Sequence, residues 1–154
     1  NNLSWFVTLE IANQKVLFTG DITSSGISKI LKSPKADLFK NFVQGTTILK
    51  IPHHGRENGC SEEMFNCIGK KSPILGIASD SELNEQNENT SSINWYSERI
   101  ENKEISIDGK MQDRKVLTTR KDKDIFLSIS KLGNIKVETN CFAKVKNQIL
   151  TNKK

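Results

Sequence analysis

The chain has 154 residues, the length of one ordinary domain, and 35% of them are hydrophobic, so a core can form only if these residues are patterned. Its formal net charge of +5 is compatible with an anionic partner such as nucleic acid, and equally with a solvated, lysine-rich surface. No run of about 18 apolar residues is present, so we expect no membrane segment.

The cysteines place the chain in a reducing compartment. Cys60, Cys67 and Cys141 are an odd number and have no Cys-x-x-Cys spacing, which argues against a disulfide framework or a zinc knuckle. We therefore expect a cytoplasmic protein in which Cys60 and Cys67 are small helix residues.

The first part of the chain predicts a β-hairpin and then a helix. Apolar residues alternate with more polar ones from Trp5 to Ile11, which is typical of a strand with one strongly apolar face. A turn at residues 12–14 leads to a second strand at 15–19. A helix is expected after the capping residues 23–25, with its end at residues 33–34. Residues 36–44 fit either a helical turn or a loop.

The middle of the chain predicts a strand–helix–strand unit. Residues 46–51 form a buried strand, and Ser61 is a good N-cap for a helix whose first turn carries Glu62 and Glu63. A short apolar strand follows at residues 74–78. Strands joined by a helix usually pair in parallel, so the fold class is α/β.

The remaining chain predicts a long polar loop, a helix and several short strands. The loop covers residues 80–89, and a helix begins after Ser92. Strands are expected at 104–107, 115–119, 124–130 and 135–138, with a hairpin turn at 132–134. We assign residues 1–138 to one domain and residues 139–154 to a polar, basic tail.

Two clusters carry the chemistry of this sequence. Gly20 and Asp21 follow one buried strand, and the run from Pro52 to Gly55 follows another and holds both histidines of the chain, His53 and His54. Carboxylate and imidazole suit a divalent metal, most simply zinc and alternatively manganese. Alone, each cluster is also typical of an ordinary turn or a surface histidine pair. Together, at the ends of neighbouring strands, they favour a shared metal ion.

The ordered set of motifs resembles the second half of a metallo-β-lactamase-fold hydrolase. It is most similar to the metallo-β-lactamase domains of DNA-uptake competence proteins, in which a strand opened by Asn-x-x-Ser is followed by Gly-Asp and then by His-His-Gly. The resemblance spans roughly residues 1–137. It implies half of an αββα sandwich, a mixed sheet with flanking helices, and hydrolysis by metal-activated water. Lys50, Arg56 and the net positive charge favour an anionic, phosphodiester-like substrate over a lactam.

The resemblance also implies roles for single residues. Asp21 corresponds to the metal-bridging carboxylate, and one of His53 and His54 to a metal ligand; the sequence does not choose between the two. Catalytic and metal-binding roles thus fall on the same three residues. The substrate-binding candidates are Asn2 and Ser4, at the position of another family histidine, and the cations Lys50 and Arg56.

The chain departs from the family in its ligand count. The His-x-His-x-Asp-His motif of the family's N-terminal half is missing, so this chain cannot build a two-metal site alone. Arg56 replaces the serine that usually follows His-His-Gly. We therefore expect a catalytic fragment or subunit completed by an N-terminal half in the same or another chain. The alternatives are a non-catalytic scaffold or binding module, and a nucleic-acid-binding domain without metal.

Half of such a fold leaves one sheet face without a covering layer. The apolar side chains between Trp5 and Ile11 need such a layer. We therefore expect the chain to form an oligomer or to associate with another polypeptide.

Overall fold

The computed structural model describes residues 4–69, 73–80 and 91–144. The elements that lie wholly within these residues include nine strands, five α-helices and two short 3-10 helices, at Pro52–Gly55 and Glu57–Gly59. The strands are β1 (Val7–Ile11), β2 (Gln14–Phe18), β3 (Ile48–Lys50), β4 (Leu75–Ala78), β5 (Ile105–Ile107), β6 (Lys110–Gln112), β7 (Val116–Thr118), β8 (Ile125–Ile129) and β9 (Ile135–Thr139). The helices are α1 (Ser24–Leu31), α2 (Ala36–Val43), α3 (Glu62–Ile68), α4 (Ile93–Arg99) and α5 (Thr119–Asp122).

The central sheet has five strands in the order β1-β2-β3-β4-β7. The β1–β2 hairpin is antiparallel, whereas β2, β3, β4 and β7 pair in parallel. The carboxyl ends of these four parallel strands therefore lie at one edge of the sheet, where α/β folds commonly place their sites. The loops that leave this edge carry Asp21, the two histidines, Asp80 and the α5 turn.

Helices cover one face of this sheet. Leu17 and Leu49 point from β2 and β3 into a core shared with the helices, which also contains the fully buried Tyr96. The Thr23 hydroxyl accepts the amide of Gly26 at the start of α1, and Ser61 accepts the amide of Met64 at the start of α3. Both caps satisfy amides that a helix leaves without an internal partner.

A second, four-stranded sheet in the order β6-β5-β9-β8 packs on the opposite face. Val16, Ile48, Leu75 and Leu117 of the central sheet form this second core with apolar residues of β5, β8 and β9. The prediction of an α/β fold with a mixed sheet and flanking helices is confirmed. Strand β6 was not predicted. Residues 36–44, for which the sequence fitted either a helical turn or a loop, contain helix α2.

The second sheet leaves the β1 end of the central sheet uncovered. Val7 pairs with Phe18 and Leu9 pairs with Val16, so these side chains share the face that carries the second core. Trp5, just before β1, is nevertheless 87% exposed. Four large apolar side chains of β1 and β2 are also exposed to solvent: Val7, Leu9, Ile11 and Phe18. We call these five residues the β1 apolar face. A contiguous exposed set of this kind is typical of an interaction surface.

None of the helices in the described ranges is long and apolar enough to cross a membrane. The predicted polar loop falls almost wholly on residues 81–90, and most of the predicted tail falls on residues 145–154; both stretches lie outside the described residues.

Candidate functional site

The two predicted clusters meet at the carboxyl edge of β2 and β3. The Thr19 hydroxyl donates to the carbonyl of Lys50 at 2.9 Å, and the His53 amide donates to the carbonyl of Gly20 at 3.2 Å. These two bonds join the loop after β2 to the loop after β3. The geometry thus brings Asp21 and the histidine pair together, as the strand-end pattern predicts.

His54 is the histidine whose ring faces Asp21. Its Nε2 lies 3.5 Å from Oδ1 of Asp21, and its Nδ1 lies 2.6 Å from the carbonyl oxygen of Ser79. A carbonyl oxygen can only accept, so Nδ1 carries the proton, and in the neutral ring Nε2 presents its lone pair toward Asp21. Metal-binding histidines commonly have this arrangement, with one ring nitrogen held by a backbone carbonyl.

The backbone of the histidine pair adopts a left-handed conformation. His53 has φ of 45°, His54 has φ of 56°, and Gly55 has φ of 73°. A Cβ atom at Gly55 would lie 2.7 Å from Cδ1 of Ile93, the movable end of that side chain, so the positive φ rather than a lack of space favours glycine there. Two consecutive non-glycine residues in this region cost free energy, and such local strain tends to cluster at functional sites.

His53 differs from its neighbour in its surroundings. Its ring centroid is 6.2 Å from that of His54, and the two ring planes are tilted by 56°. Its Nδ1 is buried and has no hydrogen-bond partner among the described residues. The backbone amide of His53 thus bonds to the Gly20 carbonyl, but the imidazole that faces Asp21 is that of His54.

Two predicted substrate-binding residues lie beside these loops. Ser4 packs against Gly20, at 3.4–3.6 Å from the position that a Cβ atom would take there. The ammonium of Lys50 donates to the carbonyl of Ile51 at 3.3 Å. Burial lowers the pKa of Lys50, and the carboxylate of Asp21 acts in the opposite direction. Asn2, the other candidate of this strand, lies outside the described residues.

Arg56, the remaining predicted substrate residue, takes part in a buried ion-pair cluster. Its Nη2 lies 2.9 Å from Oδ1 of Asp80, whose side chain is fully buried. Arg120 approaches the other oxygen of Asp80, Oδ2, at 3.2 Å, within ion-pair distance but outside hydrogen-bond geometry. The carboxylate of Asp80 thus connects the loop that contains His53, His54 and Arg56 to the α5 turn.

The Asp21–His54 pair fits two ligands of one divalent ion. Two ligand atoms on a tetrahedral zinc with bonds of about 2.0–2.1 Å lie about 3.3 Å apart, close to the observed spacing. Within the described part of the chain, no group of three or more His, Cys, Asp or Glu side chains is placed to hold a metal. If a metal ion were bound here, the described residues would supply two of its ligand groups, and the other ligands would have to come from other groups.

Asp80, Ser79 and Arg120 are site residues that the sequence interpretation missed. Asp80 follows β4 just as Asp21 follows β2, so a charged residue after a parallel strand was the available signal. Arg120 carried no comparable signal, because its contact with Asp80 joins residues from distant parts of the chain.

Compared with known proteins, the chain matches no protein-family model, no curated protein sequence and no solved structure.

Proposed function

We propose that this chain is part of a metal-dependent hydrolase, to which it contributes Asp21 and His54 as metal ligands. The observation that supports this most directly is the orientation of His54. Its Nδ1–H is held by the carbonyl of Ser79, and its Nε2 faces the Asp21 carboxylate at 3.5 Å. A ring held in this way has a fixed tautomer and a lone pair aimed at one point beside a carboxylate.

The other residues of the site would act on the substrate side. A bound divalent ion would act as a Lewis acid. It would also lower the pKa of a water molecule bound to it to about 7, so that hydroxide forms near neutral pH. Lys50 and Ser4 flank the Asp21 loop, and His53 belongs to the same turn as His54. Arg56 would contribute positive charge that Asp80 holds in place. A cationic surrounding favours a phosphodiester over an uncharged lactam ring.

We propose further that the fold is half of a metallo-β-lactamase sandwich, and that a complementary half binds to the β1 apolar face. Leu9 and Ile11 are 49% and 46% exposed on a sheet face that is otherwise covered by a second sheet. Strand β1 is also an edge strand of the central sheet. A partner at this face would bury apolar area and bring additional ligands near the Gly20–Asp21 loop, because that loop follows the strand paired with β1.

A hydrolysis assay tests this function. The chain is assayed alone and together with a polypeptide carrying a His-x-His-x-Asp-His motif from the same or a neighbouring gene. The probes are bis-p-nitrophenyl phosphate, a labelled oligonucleotide and a β-lactam, each with zinc, with manganese and with chelator. We expect metal-dependent phosphodiester cleavage by the combination, and its loss in Asp21→Asn and His54→Gln. Turnover of the lactam alone would contradict the substrate proposal.

A non-catalytic scaffold is the second candidate, and it is favoured because the residues that the structure describes place only two potential ligand groups at the site. Stable binding of the partner polypeptide without metal uptake, and without hydrolysis of any probe, would support the scaffold and exclude the hydrolase.

A further inference from the structure

Strand β1 is an edge of the central sheet, and half of its backbone groups point away from the sheet. Among the described strands it pairs with β2 alone. The two-residue turn between them, Ala12 and Asn13, has positive φ at both positions, as in a type I′ turn. In such a hairpin the residues next to the turn bond to each other, and so does every second pair along the ladder. The amides and carbonyls of Thr8 and Glu10 therefore point into the free edge.

This edge lacks the features that usually keep a strand from pairing with another molecule. Proteins protect sheet edges by making the edge strand short, or by placing lysine, proline or a bulge on it. β1 has five residues with none of these, and its register with β2 is regular from Val7 to Ile11. The opposite edge strand of the same sheet, β7, has three residues and runs directly into α5. The β1 edge is thus suited to the addition of another strand.

The charge on this edge is balanced within one copy of the chain. Glu10 is the only charged residue of β1, and the ammonium of Lys15 lies 3.2 Å from its carboxylate. The formal net charge of +5 makes two copies repel each other through their basic surfaces. At β1 this repulsion is absent, so the edge is a place where two copies can meet.

Antiparallel pairing of β1 with β1 of a second copy places apolar residues opposite apolar residues. With Thr8 on the two-fold axis, Trp5 lies opposite Ile11 of the second copy. Val7 then lies opposite Leu9 of the second copy. All four side chains belong to the β1 apolar face and are exposed in the single chain. Aromatic–β-branched and aliphatic pairs directly across two strands stabilise antiparallel sheets.

Other positions of the axis are less favourable. An axis at Leu9 places Trp5 opposite Asn13 of the second copy, in the hairpin turn, and removes its apolar partner. An axis at Glu10 places two carboxylates directly opposite each other, which is destabilising. With the axis at Thr8, neither of these costs arises.

The exposed apolar area indicates a weak contact. Trp5 and the half-exposed Val7, Leu9 and Ile11 leave roughly 400 Å² of apolar surface open on each copy. A standard interface buries about 800 Å² on each partner, and weaker, transient contacts bury less. We therefore expect a dissociation constant above about 1 μM.

We infer that β1 pairs antiparallel with β1 of a second copy, with Thr8 on the two-fold axis, so that two five-stranded sheets join into one continuous sheet. Such a contact uses the same edge on both copies and therefore closes at a dimer. It lies in the plane of the sheet, whereas the complementary half that we propose packs on the face of the sheet. The dimer thus needs neither the metal ligands nor that partner.

Sedimentation velocity of the chain alone, over a wide range of concentrations and with chelator present, tests this dimer. Amide hydrogen exchange is measured at the same concentrations. The variants are Thr8→Lys and Thr8→Glu, each alone and as an equimolar mixture. Ser128→Lys and Ser128→Glu are the matched controls, because Ser128 is an exposed residue on β8, an edge strand of the second sheet.

We expect a monomer–dimer equilibrium in which the amides of Thr8 and Glu10 become protected as the concentration rises. The amides of Leu9 and Ile11 bond to β2 and should be protected at every concentration. Each Thr8 variant should weaken dimerisation about three- to fivefold, because like charges then face each other on the axis. The equimolar mixture should restore it, which also shows that both variants fold. The Ser128 variants should dimerise as the wild type does.

Several results would overturn the dimer. A wild-type chain that is monomeric at all concentrations would exclude it, and assemblies that grow beyond two copies would show a contact that does not close. Stronger dimerisation of Thr8→Lys alone would place the axis at Leu9, with Thr8 opposite Glu10. Failure of the mixture to restore dimerisation, or an equal loss in the Ser128 variants, would show that Thr8 is not on the axis.

The same measurements separate this dimer from the proposed function. Protection of the Thr8 and Glu10 amides only after the complementary polypeptide is added would assign the edge to that polypeptide and overturn the pairing of two copies. Dimerisation as expected, without metal-dependent hydrolysis, would reject the proposed function and support the dimer. Hydrolysis by a chain that never dimerises would do the reverse.

Discussion

The imidazole of His54 and the carboxylate of Asp21 face each other across two loops, with Nε2 and Oδ1 3.5 Å apart. This distance is longer than a hydrogen bond between the two groups and close to the spacing of two ligands on one metal. Both side chains are about half exposed, at 51% and 46%, so a simple ion pair here would contribute little stability. The pair therefore contributes little to folding, and its geometry supports the metal-binding role that we propose for it.

The left-handed backbone at His54 gives a stability prediction. His54→Gly should be more stable than His54→Ala by about 1 kcal/mol, because glycine adopts a positive φ without steric cost. Both variants lose the same ring, so their comparison isolates the backbone. The measurement is urea unfolding of the two variants.

The control for this prediction lies in a helix. Asn41 is exposed in α2, where the order should reverse and Asn41→Gly should be less stable than Asn41→Ala by about 1 kcal/mol. An alanine at position 54 as stable as glycine would show that His54 is not held in a left-handed conformation.

Asp80 should be important for stability because its carboxylate lies within ion-pair distance of two guanidinium groups. Its side chain is fully buried, and the side chain of Arg56 is only 11% exposed. Asp80→Asn should cost about 3 kcal/mol of unfolding free energy, since it removes the buried carboxylate that two guanidinium groups share. Asp37→Asn is the control, because Asp37 pairs with Lys40 at the surface and should cost less than about 0.5 kcal/mol. Similar costs for the two variants would contradict the ion-pair cluster.

The β1 apolar face should drive association. Leu9→Lys should raise the monomer fraction or prevent capture of a partner, because it places a charge in the centre of this face. Leu38→Lys is the matched control, since Leu38 is 67% exposed on α2 and lies outside the face. Sedimentation velocity over a range of concentrations distinguishes them. A wild-type chain that stays monomeric and binds no partner would count against the partner proposal.

Asp108 should make stability dependent on pH in acid. A hydrogen bond from Lys144, together with bonds from the Thr139 hydroxyl and amide, lowers the pKa of Asp108 from 3.8 to about 2. The stabilisation is present above the unfolded pKa, near pH 4, and is lost as pH falls through about 2.

The measurement compares wild type with Asp108→Asn by urea unfolding from pH 6 to pH 2. The difference in unfolding free energy should be constant above about pH 5 and should shrink toward pH 2. A difference that does not change with pH would mean that the carboxylate charge of Asp108 does not contribute. Its side chain is 35% exposed, so solvent screening keeps the effect modest.

The sequence predicts the elements that local pattern determines. Apolar runs predict β2, β3 and β4, and capping residues predict α1 and α3, because the hydrophobic period and helix caps are local properties. The strand-end positions of Asp21 and His54 follow from the same patterns. The sequence could not show which of His53 and His54 faces Asp21, because that orientation depends on the left-handed turn and on the carbonyl of Ser79.

Tertiary features were harder to predict from sequence. The alternation from Trp5 to Ile11 predicts a strand with one apolar face that needs a covering layer, but it cannot tell how far the second sheet extends over that face. The ion pair between Asp80 and Arg120 depends on the parallel pairing of β4 with β7. Such contacts follow from topology, which a single sequence does not specify.

Zinc titration of the isolated chain tests the central proposal most directly. NMR of the histidine ring nitrogens follows the titration in wild type, Asp21→Asn, His54→Gln and the surface control Asp37→Asn. We expect at most one zinc ion per chain, a shift at Nε2 of His54 with Nδ1 still protonated, and a loss of affinity of about tenfold or more in the first two variants only. Zinc binding that is unchanged in Asp21→Asn and His54→Gln, or a titration that leaves His54 Nε2 unaffected, would contradict the account.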